Sequence, residues 1–272
     1  MESPKSNIPK NKAVGPKPRD SELGLRLYYQ PIVQPMFNKV VAYEALIRLF
    51  DKELHFVSPA IFIPIAEKSG LNAALGNWVI EESCRTVTNM LKKNIAFEYI
   101  SLNVSNKHLQ KKAFLSDVKR ILDTYQIPPQ KICFEISETA VVSRYNESMD
   151  KMRALRDMGF KIAIDDFGGE FDVLNKTEDL PVTILKLDRR FVERIVIDTR
   201  SREVTEATIG LALKLGLQVV AKAVEDTVQQ KMLMKMGCNL MQGFLFGEPI
   251  RERGIIYPKK KKDEPETEET NE

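Results

Sequence analysis

Acidic and amide side chains stand at the ends of several β-rich runs in this 272-residue sequence, where they could bind a cation. They are Glu44, Asn103, Glu135, Asp165 and Asp166. A single acid at a strand end more often caps a helix or faces solvent. Carboxylates that converge from several strands repel one another unless a cation lies between them, and oxygen ligands suit Mg²⁺, Mn²⁺ or Ca²⁺. The pattern predicts a divalent-metal site.

Other polar side chains follow the same rule of position. Lys186 and Asp188 end one run, Lys222 ends the next, and Gln242 lies in the last. The two histidines, His55 and His108, do not stand at strand ends, which argues against histidine-based zinc chemistry.

The cysteines are far apart in the sequence and predict neither a zinc cluster nor a disulfide framework; they are Cys84, Cys133 and Cys238. Cys133 lies within an apolar strand and is predicted to be a core residue.

Strands and helices alternate along the chain from about residue 25. The strand-like runs are "LRLYYQPIV", "VVAYEALIR", "YISLNV", "KICFEI", "KIAIDD", "TILKLD", "LQVVA" and "MQGFLF". Helical periods occupy residues 105–127, 143–160 and 201–216, and Gly159 and Gly216 are candidate C-caps. The alternation predicts a closed (β/α)₈ barrel, with an open doubly wound sheet as the alternative. A short turn joins the first two runs, so strands 1 and 2 should be antiparallel.

Composition predicts one soluble domain with charged tails. Hydrophobic residues make up 43% of the chain and charged residues 29%, with a net charge of +3. We expect disordered tails at residues 1–22, basic and proline-rich, and 257–272, with the folded domain at 23–256. A basic tail could touch nucleic acid or an anionic membrane, but a solvated tail is the simpler interpretation, and we expect no nucleic-acid partner. No apolar run reaches the ~18 residues of a membrane span, so a cytoplasmic location is expected.

The strand-end segments together resemble a known family. "YYQPIV", "YEALIR", "FIPIAEKSGL", "SLNVS", "FEISET", "IAIDDFG", "LKLD" and "MQGFLFGEP" are similar, in this order, to the signature segments of the EAL domain. The resemblance covers residues 25–250. It implies a modified TIM barrel that binds cyclic di-GMP. Active members of this family are phosphodiesterases that open cyclic di-GMP to pGpG with Mg²⁺ or Mn²⁺.

The resemblance also implies roles for individual residues. The family's metal ligands correspond to Glu44, Asn103, Glu135 and Asp165. Asp166 corresponds to an aspartate that helps to hold a second metal, and Lys186 to a lysine near the attacking water. The positions that contact the nucleotide correspond to Gln30, Leu46, Arg48, Asp188, Glu225 and Gln242. These types suit the task, because arginine can fork onto a phosphate and carboxylates can accept hydrogen bonds from guanine.

The sequence departs from the family at the end of the seventh predicted strand. Active members have a segment like A-E-G-V-E, whereas this chain has Ala-Lys-Ala-Val-Glu at 221–225. The replaced glutamate serves the second metal and its nucleophilic water in the family. An ammonium about 5 Å from a divalent ion repels it by roughly 7 kcal/mol at an effective dielectric of ~20. Lys222 should therefore weaken the second metal site, unless it points away and pairs with Glu225 or an exposed acid.

The loop after the fifth predicted strand departs as well. The family pattern D-D-F-G-T-G is replaced by Asp165-Asp166-Phe167-Gly168-Gly169-Glu170. In active members this loop, with a glutamate that matches Glu138, couples dimerisation to the active site. Gly169 adds flexibility, and Glu170 replaces a glycine. The alternative is that this loop simply varies, and a dimer is not favoured here.

Three functions remain open from the sequence. The first is a catalytically impaired receptor for cyclic di-GMP, with a downstream protein partner. The second is an active Mg²⁺- or Mn²⁺-dependent phosphodiesterase that produces pGpG. The third is a protein-interaction scaffold that does not bind nucleotide. Retention of the nucleotide-contacting residue types disfavours the scaffold, and Lys222 disfavours the enzyme.

Overall fold

Short apolar runs form the strands of the molecule. The computed structural model describes residues 24–143, 145–168 and 180–256. The strands are β1 (Gly24–Gln34), β2 (Lys39–Asp51), β3 (His55–Val57), β4 (Ile100–Asn103), β5 (Ile132–Ser137), β6 (Lys161–Phe167), β7 (Ile184–Leu187), β8 (Gln218–Ala221), β9 (Leu240–Met241) and β10 (Ile250–Arg251). The predicted tails, 1–22 and 257–272, lie outside the described residues, as do Gly169 and Glu170.

Helices follow most of the strands, as the alternating pattern predicts. They are α1 (Pro59–Lys68), α2 (Asn72–Lys92), α3 (Asn106–Leu109), α4 (Phe114–Tyr125), α5 (Glu138–Ser143), α6 (Tyr145–Asp157), α7 (Arg189–Arg194), α8 (Thr199–Lys214), α9 (Thr227–Lys235) and α10 (Glu252–Ile256). Gly159 and Gly216 follow α6 and α8 with φ of +93° and +75°, so both predicted C-caps are confirmed. None of the helices in the described ranges is long and apolar enough to cross a membrane.

The strands close into a barrel in the order β1-β9-β8-β7-β6-β5-β4-β2, and β2 pairs back with β1. This closure confirms the barrel over the open sheet. β1 runs antiparallel to both of its neighbours, β2 and β9, as predicted for the first strand pair. The other barrel pairs are parallel, so their carboxyl ends meet at one rim. The short strands β3 and β10 extend the sheet beyond β2 and β1.

The core has two parts. One buried cluster, which includes Tyr99, Ala163 and Val220, packs inside the barrel together with Cys133, so the prediction that Cys133 is a core residue is confirmed. The larger cluster lies between the strands and the helices. This arrangement leaves the rim at the carboxyl ends of the strands for polar side chains.

The prediction for the last strand is wrong in its extent. "MQGFLF" was expected to be a strand, but β9 ends at Met241 and Gln242 follows it. The backbone N–H of Gln242 donates to Ala221, and its carbonyl accepts from Val224. A Cβ on Gly243 would lie 2.0 Å from the Val224 carbonyl oxygen, so the chain passes too close to Val224 for a side chain. The strand therefore ends where the backbone turns onto the segment after β8.

Candidate active site

A buried lysine joins two strands at the centre of the rim. Lys186 in β7 is 1% exposed, and its Nζ donates to Glu44 Oε2 at 2.8 Å and to Glu135 Oε1 at 2.5 Å. Burial opposes the charge of Lys186, but the carboxylates of Glu135 and Glu44 outweigh it and hold the lysine pKa well above its usual range. The ammonium therefore stays charged and compensates two acids that could not otherwise be buried together.

Glu44 of β2 accepts hydrogen bonds from several neighbours. Asn103 Nδ2 donates to its Oε1 at 2.9 Å, and Gln242 Nε2 donates to its Oε2 at 2.8 Å. Gln242 also lies 3.2 Å from Gln30 Oε1, because Gln30 pairs directly with Glu44 in the β1–β2 register. Burial would raise the Glu44 pKa, but the charges of Lys186 and Lys222 and the hydrogen bond from Gln242 lower it, so Glu44 is an anion in this network.

Glu135 has a different environment from Glu44. Its Oε2 is buried and has no hydrogen-bond partner among the described residues. Burial and the nearby Glu44 carboxylate raise the pKa of Glu135, even though Lys186 acts in the opposite direction. Glu135 therefore holds a proton more readily than an ordinary carboxyl group, and its unpartnered Oε2 is the atom at which a proton or a cation could bind.

Lys222 makes a second bridge across the rim. It directly follows β8, and its Nζ lies 2.7 Å from Asp165 Oδ1 and 2.7 Å from Asp166 Oδ1. Asp166 has a φ of +52°, and the β6–β7 register shifts between Ile164 and Phe167, so both adjacent aspartates can face the lysine. Burial opposes the Lys222 charge, but Asp165 outweighs it and the lysine pKa rises. Of the alternative partners considered for Lys222, Glu225 is not paired with it in the described residues, whereas Asp166 is an exposed acid, with 57% of its side chain accessible.

A cavity of about 680 Å³ opens at this rim. All of the predicted nucleotide-contacting residues line it; they are Gln30, Leu46, Arg48, Asp188, Glu225 and Gln242. Glu44, Asp166 and Lys222 line it too. The sequence reasoning missed Arg189, Phe244 and Pro249 among its lining residues. Phe244 is 66% exposed, whereas the apolar run that contains it predicts a strand residue and gives no sign of an exposed ring in the cavity.

The remaining predicted residues lie beside the cavity rather than on its surface. Asn103, Glu135, Asp165 and Lys186 do not line it, but they connect to it through Glu44 and Lys222. Glu138, at the start of α5, is 2% exposed, and its Oε2 accepts a hydrogen bond from the Gly168 N–H at 3.1 Å. Glu138 thus holds the chain where β6 leaves the barrel.

The resemblance to the EAL domain implies two metal positions at this rim. No group of three or more His, Cys, Asp or Glu side chains within the described ranges is arranged to hold a metal ion, so the ligand set stays a prediction. Carboxylate and amide oxygens, with the unpartnered Glu135 Oε2, fit one divalent cation. The pair Asp165 and Asp166 does not fit a second, because the Lys222 ammonium already pairs with Oδ1 of each, which leaves Asp165 Oδ2 for the first ion.

Comparisons with known proteins identify relatives of this chain. The EAL domain family model matches residues 19–249. The chain is 34% identical over 224 residues to the signaling protein YkoW of Bacillus subtilis, covering 82% of this chain and 28% of YkoW. It is 32% identical over 226 residues to the bifunctional diguanylate cyclase/cyclic di-GMP phosphodiesterase MucR of Pseudomonas aeruginosa, covering 83% and 33%. The chain thus spans about a third of the length of such relatives.

Solved structures show the same fold. The PaMucR phosphodiesterase in complex with c-di-GMP aligns with a TM-score of 0.80 and 32% identity, over 84% of this chain and 92% of that one. The match covers the barrel that carries the rim described above.

Proposed function

This chain belongs to the EAL domain family, and we propose that it is a cyclic di-GMP receptor with impaired hydrolysis. The observation that carries this proposal is the position of Lys222, whose Nζ lies 2.7 Å from both Asp165 and Asp166. A receptor acts through another molecule, so we expect a downstream protein partner. The proposal separates two properties of the rim, the binding of the nucleotide and its hydrolysis.

Binding is supported by the groups that line the rim cavity. Arg48 is half-buried there and can present its planar guanidinium to a phosphate. Asp188 and Glu225 offer carboxylate acceptors to the donor edge of a guanine. Lys222 lines the same cavity, where its charge offsets part of the negative charge of Asp165 and Asp166 that would otherwise repel the phosphates of the ligand. Chemical complementarity to an anionic, guanine-containing ligand thus comes from several strands at once.

Impaired hydrolysis is supported by what Lys222 replaces. A divalent metal, when bound, neutralises charge that develops on the phosphodiester and acidifies a water. Residues Glu44, Asn103, Glu135 and Asp165 would hold one such ion, while Lys186 positions Glu44 and Glu135. Asp165 and Asp166 are already compensated by an ammonium, which repels a second divalent ion at ~5 Å by roughly 7 kcal/mol at a dielectric of ~20. As a charged ammonium, Lys222 also cannot accept a proton from water.

Phosphodiesterase activity is the second candidate. It is favoured by the intact network of Glu44, Asn103 and Lys186, and by the unpartnered oxygen of Glu135. The similarity to a protein described as a phosphodiesterase points in the same direction. If one metal suffices, this network could support slow turnover even with Lys222 in place.

The experiment is a calorimetric titration of cyclic di-GMP with Mn²⁺ present, followed by chromatography of the nucleotides. For the wild-type chain we expect saturable heat and recovery of intact cyclic di-GMP. Lys222→Glu should restore an acidic cluster that needs a cation, so it should produce pGpG in amounts above the protein concentration. Lys119→Glu, a charge reversal at an exposed site in α4, is the matched control and should behave like the wild type.

The other outcomes assign the remaining functions. If the wild-type chain produces pGpG in excess of the protein, the chain is an enzyme. That result would contradict the inference that Lys222 impairs hydrolysis. Absence of binding at micromolar nucleotide would favour the scaffold. If Lys222→Glu binds the nucleotide but gives no more pGpG than the wild type, the explanation for impaired hydrolysis is wrong.

A further inference from the structure

A second cavity lies on the other side of β2 from the barrel interior. It has a volume of about 340 Å³ and lies between β2, β4 and the helices α1 to α3. Its walls are mainly apolar and include Ala45, Ile63, Ala66, Leu75, Val79 and Val104. Sites for small molecules are typically apolar cavities of roughly 300–1,000 Å³ with a few polar groups. The size and the walls of this cavity therefore suit a small apolar molecule.

One polar group in this cavity lacks a partner. Asn72, the first residue of α2, lines the cavity and is 6% exposed. Its Nδ2 has no hydrogen-bond partner in the part of the chain that the structure describes. A buried amide donor is unfavourable unless an acceptor reaches it, because it has lost its hydrogen bonds to water. A ligand that carries an acceptor would satisfy this group.

The other polar residues of the cavity already have partners. Arg48 Nη1 donates to the Ile47 carbonyl at 3.0 Å, and Glu67 pairs with Lys107 at 3.4 Å. His108 Nε2 lies 3.0 Å from Asn77 Oδ1. The charges of Arg48 and Glu67 are opposite, so the cavity does not select strongly for an ion. Among the residues that line this cavity, Asn72 has the buried side-chain donor that no group in the described part of the chain satisfies.

We propose that this cavity binds a small, uncharged, largely apolar molecule with a carbonyl oxygen that accepts a hydrogen bond from Asn72 Nδ2. Leu46 and Arg48 line both this cavity and the rim cavity, so the bound molecule would contact the same end of β2 that faces the nucleotide. The assignment does not depend on the proposed function, because the binding of such a molecule can be measured without cyclic di-GMP.

The test is a methyl-NMR titration with two probes that differ by one carbonyl group, α-tetralone and tetralin. We expect saturable shifts of the Ile63, Leu75 and Val79 methyl groups with α-tetralone. Tetralin should bind about tenfold more weakly, since it cannot accept a hydrogen bond. The methyl groups of Ile184 and Val220, inside the barrel, are internal controls and should not shift.

Two variants separate the role of the Asn72 donor from the role of the cavity volume. Asn72→Leu removes the donor at similar size, and it should bind both probes with affinities within about threefold of each other. It should remain folded, because it replaces an unpartnered buried amide with an apolar group. Ala66→Phe should fill the cavity and abolish the shifts. Equal binding of both probes to the wild-type chain would overturn the role of Asn72, and no shift at millimolar probe would overturn the site.

Discussion

At the scale of single residues, Lys186 stabilises the rim by pairing with the buried side chains of Glu44 and Glu135. Lys186→Met should lower the free energy of unfolding by about 3–5 kcal/mol, because Glu44 and Glu135 would keep their burial and lose their counter-charge. Urea denaturation of the purified chain measures the change. Lys119→Met, an exposed substitution of the same type in α4, should stay within ~0.5 kcal/mol of the wild type. A loss for Lys186→Met as small as that of the control would contradict this account.

Ala223 carries backbone strain next to Lys222. Its φ is +57°, a left-handed conformation that costs a residue with a Cβ roughly 1–2 kcal/mol. The A-E-G-V-E pattern of the family has glycine at this position. Ala223→Gly should therefore raise the free energy of unfolding, by less than about 1 kcal/mol after the entropy of glycine is subtracted.

The matched substitution for Ala223→Gly lies in a helix. Ala207→Gly, at an exposed position in α8, should lower the free energy of unfolding by about 0.5–1 kcal/mol. Thermal or urea unfolding of the two variants should therefore give changes of opposite sign. A loss of stability in both would show that the backbone at residue 223 relaxes without glycine.

The residues that meet at the rim could be predicted from the sequence, but their pairing could not. The positions at strand ends predicted that acids would converge, because parallel strands share one rim. The partner of Lys222 depends on the positive φ of Asp166 and on the register shift in β6, and neither has a signal in the sequence. The exposure of Phe244 could not be predicted either, because its apolar neighbours in the sequence favour a strand.

At the scale of elements, α3 depends on a neutral histidine. His108 packs edge-on against Phe114 of α4 at a ring distance of 5.0 Å and contacts Asn77 of α2. Burial lowers its pKa to about 4, with Asp117 raising it and Lys111 lowering it to smaller extents. Between pH 4 and about 6.5 the unfolded chain binds a proton that the folded chain does not. The contribution of His108 is therefore complete above pH 6.5 and is lost as the pH falls.

This acid sensitivity can be isolated by substitution. His108→Leu lacks the titrating group, so its unfolding free energy should fall less than that of the wild type between pH 7 and pH 4. The difference between the two proteins should change by up to ~3 kcal/mol over this range. Urea denaturation at several pH values measures it. Parallel pH profiles of the two proteins would show that His108 is already solvated in the folded state.

Element type was easier to predict than element extent. The β1–β2 hairpin and the alternating strands follow from short turns and apolar runs, and the structure confirms them. In α8 the buried face runs through Thr205, Thr208, Ile209 and Ala212, whereas Leu213 is 42% exposed. Threonines on a buried face weaken the apolar period from which helix orientation is predicted.

At the scale of the whole molecule, the rim cavity draws on residues after β7 and β8 as well as β1 and β2. A ligand that bridges these elements should therefore stabilise the barrel as one cooperative unit. If the chain binds cyclic di-GMP as proposed, the nucleotide at about 100 times its Kd should raise the free energy of unfolding by ~2.7 kcal/mol. For a domain of this size, that corresponds to a rise of roughly 5–10 °C in the melting temperature.

Arg48→Met tests whether this stabilisation comes through the phosphates. Loss of a charge-assisted hydrogen bond, worth about 1.5–3 kcal/mol, should weaken binding at least tenfold and remove roughly half or more of the stabilisation at a fixed nucleotide concentration. Arg153→Met in α6 removes an arginine that does not line the cavity, and it should keep the full rise. Differential scanning calorimetry with and without cyclic di-GMP measures all three proteins. If Arg48→Met keeps the wild-type rise, the phosphates of the ligand do not bind at β2 and the orientation of the nucleotide in the cavity must be different.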